Sequence, residues 1–182
     1  MKKFKVLVAA LLTVTVVLGG AVPTYAASTD VTIEVNETSM DGVSVTVPSV
    51  LPIVFNSDGT NTLPTNWTIQ NTSTIAGIHL SEIAMDVGES GWVLLGATES
   101  TTGLVSDTKA IKFYVGKGNS LKVVNPEDGI MSATGNAVFG AQDIAIPCGS
   151  TQVLSFKVDR GAFTITEAAA KAFDMTLSFN FN

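Results

Sequence analysis

The sequence has one histidine, His79, and one cysteine, Cys148, and these are the pair from which a thiolate nucleophile and its base would have to come. Such a dyad needs a thiol of lowered pKa and a third group that orients the imidazole. No local motif supplies either, because Ile146-Pro147-Cys148-Gly149 reads as a turn after a strand. By parity His79 lies opposite Ile78 and Leu80, which predicts a solvent-facing ring. Cys148 has no intramolecular disulfide partner and is predicted to be a small buried residue. An intermolecular link is the alternative for an odd cysteine in an exported chain. Two scattered ligands do not make a structural zinc site, which takes four.

Calcium is the metal with the better case. Asn56-Ser57-Asp58-Gly59-Thr60-Asn61 sets oxygen-bearing side chains around a glycine, as calcium loops do. The bidentate Glu of loop position twelve is absent, since Trp67 stands there, and an Asp-Gly hairpin turn accounts for the same residues. No metal or cofactor is predicted. The sixteen acidic residues offer many carboxylate pairs for glycoside hydrolysis, but alternation puts most of them on outward faces or in turns. Gly116-Lys117-Gly118 is too short to cradle a phosphate, and no helical pattern follows it. Trp67 and Trp92 lie within apolar strand patterns and are predicted to be core residues, while Tyr114, next to Lys112 in parity, is the exposed aromatic suited to stacking on a sugar. Asn36, Asn66 and Asn71 each begin a glycosylation sequon, which in a bacterial chain is expected to be accidental. No catalytic, metal or cofactor-binding residue is assigned, and the chain is expected not to be an enzyme.

The elements that would position these residues have a period of two. Val31, Ile33 and Val35 alternate with Thr32 and Glu34; Val43, Val45 and Val47 with Ser44 and Thr46; Ile111, Phe113 and Val115 with Lys112 and Tyr114. Leu154, Phe156 and Val158 follow the same rule, as do Met175, Leu177, Phe179 and Phe181. This is the mark of strands with one buried face. Between Ile78 and Val87 the phase changes, predicting a bulge near Ser81-Glu82. Trp92 to Leu95 is apolar on both parities and reads as a strand buried on both sides. Turns are signalled at Asp41-Gly42, Asp58-Gly59, Gly88, Gly103, Gly116-Lys117-Gly118, Asp128-Gly129, Gly135-Asn136 and Gly149. Thr164 to Glu167 fits a capping box ahead of Ala168–Ala172, predicting one short helix near the C-terminus that crosses an end of the fold. The expected class is all-β: an immunoglobulin-like antiparallel β-sandwich with that one helix.

At the N-terminus Lys2, Lys3 and Lys5 precede the apolar run Val6–Leu18, then Gly19, Gly20 and Pro23, then small residues through Ala27. That order predicts a signal peptide over residues 1–26, cleaved near Ala26 or Ala27, and a single domain over 27–182. The apolar run is short for a membrane span. Cleavage would leave seven basic side chains against sixteen acidic ones, a net charge of −9. Such a surface repels phosphate backbones and anionic lipid, so neither nucleic acid nor, after cleavage, membrane is an expected partner.

Val45-Thr-Val-Pro-Ser-Val-Leu-Pro-Ile-Val-Phe-Asn-Ser-Asp-Gly59, then Trp67-Thr-Ile-Gln-Asn71 and Gly91-Trp92-Val-Leu94, together resemble secreted β-sandwich proteins of Gram-positive bacteria, of the WxL-like kind and the camelysin/TasA kind. The resemblance covers residues 45–95 and the final strand, with Trp92-Val-Leu94 as a single Trp-x-Leu match, and it carries no active-site residues. It implies a secreted, non-enzymatic structural protein of the cell surface or of a biofilm matrix. Self-association through edge strands would follow, with Asp30–Glu37 as the donated strand. An extracellular module binding cell-wall polymer or host glycan is the alternative, and a cryptic hydrolase is a third.

Overall fold

The computed structural model describes residues 25–35, 44–56, 58–88, 90–104, 108–163 and 169–182. Residues 1–24 of the expected signal peptide (1–26) lie outside them, and Tyr25 and Ala26 are strand residues. Among the described residues there are sixteen strands and no helix. In chain order they are β1 (Tyr25–Val35), β2 (Val45–Thr46), β3 (Ile53–Phe55), β4 (Asn61–Thr62), β5 (Thr68–Asn71), β6 (Ile78–Asp86), β7 (Trp92–Leu95) and β8 (Lys109–Lys117). There follow β9 (Ser120–Val123), β10 (Asn125–Pro126), β11 (Met131–Ser132), β12 (Thr134–Val138), β13 (Ala145–Ile146), β14 (Thr151–Val153), β15 (Ser155–Arg160) and β16 (Ala169–Phe181). The largest sheet runs β10-β12-β6-β16-β1-β3-β4, with β13 also on β6. A second runs β11-β7-β8-β15, with β9 also on β8, and a third runs β14-β5-β2.

Most neighbours are antiparallel, but β1 runs parallel to β16 and β7 parallel to β8, which departs from the purely antiparallel expectation. A parallel pair needs a crossover of a dozen or more residues. The chain from Leu95 to Lys109 provides one, and nearly the whole domain lies between β1 and β16.

Alternation sets the core as expected. Met175, Leu177 and Phe179 of β16 are fully buried and stand opposite Met85, Ile83 and Leu80 of β6. Rings join the sheets: Phe113 meets Phe173 edge-on at 5.5 Å, Phe55 stacks on Trp92 at 5.3 Å, and Trp67 meets Phe156 at 5.6 Å. Each fully buried side chain of this kind contributes about 1.5–3 kcal/mol. The phase change in β6 is a bulge at Ser81: the register steps from Ser178↔Glu82 to Phe179↔Leu80. The extra residue keeps its polar groups bonded. Its hydroxyl donates to the Ser178 carbonyl at 2.9 Å, and its own carbonyl accepts from Phe139 N–H at 2.8 Å. Trp92, Leu94 and Leu95 are all buried, as both parities of β7 predict.

Two local expectations fail. The C-terminal helix is not formed over Ala169–Ala172, which is strand β16; Thr164–Ala168 lies outside the described residues. A helix of that length is marginal alone, and pairing with β1 and burial of Ala172 and Phe173, each 1% exposed, outweigh alanine propensity. Gly135 is not a turn glycine but sits inside β12. A Cβ there would stand 2.6 Å from the Asn125 carbonyl oxygen and 2.9 Å from Leu94 Cδ1, so close backbone approach requires glycine.

Candidate functional site

The most unusual arrangement in the chain is the seat of β1. Its Val-x-Ile-x-Val alternation makes it a strand, and it pairs with β16 at ten positions, from Ala26↔Ala169 to Val35↔Phe179. One irregularity falls between Ser28 and Thr29, where β16 carries the extra residue Ala172. On its other side β1 meets β3 only through Tyr25, Ala26 and Ala27. Among the described residues Ser28–Val35 has no second neighbour, which leaves eight residues of main chain as an open edge. The expected donated strand, Asp30–Glu37, is therefore, over its described residues Asp30–Val35, docked along one side and open along the other.

Most other edges are blunted. β2, β4, β10 and β11 are two residues long, too short to template a neighbour. Side chains also fasten one sheet to the edge of another: Asn61 Nδ2 donates to the Val158 carbonyl of β15 at 2.8 Å, and Lys122 Nζ donates to the Val138 carbonyl at 2.8 Å. The same ammonium holds Asp143 at 2.7 Å and keeps that carboxyl below its ordinary pKa, with the Gly140 N–H adding to the effect.

The structure engages the dyad candidates separately. His79 is buried at 9% exposure, not solvent-facing, because β13 runs alongside it and Asn182 closes over the ring. Nδ1 of His79 lies 2.7 Å from Asn182 Oδ1. Cys148 is exposed, against expectation, since it stands at the tip of the Pro147–Ser150 turn that Gly149 closes with φ 68°. Its thiol donates to the Ser73 carbonyl at 2.8 Å. In the expected calcium loop the oxygens serve the turn. Asp58 Oδ1 accepts from Thr60 N–H at 2.9 Å and from the Thr60 hydroxyl at 2.6 Å, and those bonds lower the Asp58 pKa. Among the described residues no three His, Cys, Asp or Glu side chains are grouped to hold a metal ion.

Trp67 and Trp92 are core residues, 3% and 8% exposed. Tyr114 is half-buried, with its hydroxyl donating to Asp159 Oδ2 at 2.9 Å and Lys157 Nζ 4.6 Å above the ring. Burial and then the Asp159 carboxylate push its phenol up to about 12. Of the sequons, Asn71 is fully buried, its amide donating to the carbonyls of Ala76 and Ile146 at 2.9 and 3.1 Å, which leaves no room for a glycan. Alternation missed this residue's role; the Asn-x-Ser spacing was the signal, since Asn71 Oδ1 accepts from both N–H and hydroxyl of Ser73. A cleft of about 230 Å³ lies between the Gly88 turn and the start of β16. Its two carboxylates are already engaged, Asp86 by Gly88 N–H at 2.7 Å and Asp174 by Lys171 at 2.6 Å. Compared with protein-family models, curated proteins and solved structures, the chain matches none.

Proposed function

We propose that this is an exported, non-enzymatic structural protein of the cell surface or extracellular matrix, an immunoglobulin-like sandwich whose copies associate by exchanging β1. The observation that carries the reading is how β1 is held: from Ala27, beyond the expected cleavage point, nine main-chain pairs to β16, one to β3 and, among the described residues, an open edge over Ser28–Val35. A neighbour's β1 placed in the same seat would make the same pairs. Such a contact is head-to-tail, and it grows into a filament when its rotation does not close. An export signal in residues 1–26 and the acidic surface of the remaining chain suit an extracellular location. A glycan-binding module would need a free aromatic face, whereas Tyr114 is bonded to Asp159 and capped by Lys157.

A disulfide tests exchange directly. Thr32 and Thr176 are register partners, and adjacent strands about 4.8 Å apart suit a bridge. In a Cys148→Ser background, Thr32→Cys with Thr176→Cys locks β1 into its own molecule. The oxidised variant is expected to stay monomeric in size-exclusion chromatography and electron microscopy while the parent elongates, and reductant restores assembly. Deleting residues 28–38 should abolish assembly; fibres in that deletion, or in the locked variant, reject exchange.

A further inference from the structure

Parallel pairing of β1 with β16 sets the direction in which the two strands can be loaded. Ala26 lies beside Ala169 and Val35 beside Phe179. The chain therefore enters β1 at the end where β16 begins, and leaves β16 at the end where β1 finishes. Tension applied before Tyr25 and after Phe181 draws the two strands lengthwise past each other. The nine paired positions from Ala27↔Ala170 to Val35↔Phe179 then share the load at once, because evenly spaced bonds of a parallel ladder all lie across that pull. An antiparallel pair at the same positions would take the force at one end and open bond by bond.

Both strands are anchored against this shear. β16 is held on its far side by eight register pairs to β6, and its residues Phe173, Met175, Leu177 and Phe179 are buried in the core. β1 is held at its start by pairing with β3, of which Ala27↔Ile53 lies beyond the expected cleavage point. We propose that the β1–β16 ladder is a mechanical clamp, and that the protein serves as a load-bearing link in whatever tethers or pulls it through its two chain ends. The inference goes beyond the structural role proposed above and concerns the single molecule, so it stands or falls apart from assembly.

Single-molecule pulling tests it, because forced unfolding reports the unfolding barrier under load, not equilibrium stability. In a Cys148→Ser background, one pair of handles is placed ahead of β1 and after Asn182. A second pair is placed at Asn36, directly after β1, and after Asn182, so that force peels the ladder from one end. The end-to-end geometry is expected to rupture at a force several times higher than the peeling geometry, with the two proteins unfolding at the same urea midpoint. Equal rupture forces, or a lower end-to-end force, would overturn the clamp. A Thr32→Pro variant, which deletes one ladder N–H, should lower the end-to-end force alone. If that variant does not fold, the two handle geometries still decide, since neither alters the ladder. Rupture force and oligomeric size are separate readouts, so an assembling protein with no clamp and a monomer with one are both recognisable.

Discussion

Asn71 shows what one side chain does when it is fully buried and fully bonded. Its amide and carbonyl tie the Ser73–Ala76 loop to the end of β13. Asn71→Ala leaves those buried partners unpaired and is expected to cost about 3 kcal/mol in urea unfolding. A loss below about 1 kcal/mol, the worth of an ordinary hydrogen bond, would contradict this account. Tyr114 gives a pH prediction of known sign. Its phenol has an ordinary value of 10.0 and is held at about 12 in the fold. Its contribution to stability is thus complete below pH 10 and is lost as pH rises through 12. The phenolate absorbance that distinguishes the protein from Tyr114→Phe should appear near pH 12, and the variant's urea midpoint should fall less across that window. Single-residue burial was legible where a run had one apolar face, as for Met175, Leu177 and Phe179. It was illegible for His79 and Cys148, because parity knows only its own sheet. The cover over His79 comes from Asn182, more than a hundred residues away in sequence, and Cys148 belongs to a turn where parity has no meaning.

At the scale of the element, the Ser81 bulge joins two halves of β6 whose inward residues differ in parity. Deleting Ser81 would restore strict alternation and turn either Ile78 and Leu80 or Ile83 and Met85 outward. The deletion should leave no cooperative unfolding transition, whereas Ser81→Ala, which keeps the residue count, should stay folded by circular dichroism. Phe173→Ala tests the strand that replaces the expected helix. Its ring meets Phe113 across the core, and removal should cost about 3–5 kcal/mol, as for a core phenylalanine. On a helix lying across an end of the fold the same change would cost much less. Strand existence was legible here because period two survives in each run, and the bulge because the phase visibly breaks. The helix was misread because alanine propensity describes an isolated chain, while Ala169 and Ala170 gain partners in β1 that no local window contains.

At the scale of the molecule, the all-β class was legible and the pairing was not. Nothing local in Val31–Val35 or Met175–Phe181 states that the two lie side by side and run the same way. That choice also sets an order of events. The longest ladder joins the first described strand to the last, so it cannot form until almost the entire polypeptide is available. A chain stopped before residue 169 has no seat for β1 and leaves β6 paired on one side only, by β12 and β13, and it should be cut rapidly by protease where the full chain resists. During synthesis the sheet therefore stays incomplete, and closure waits on release of the final fourteen residues described, 169–182.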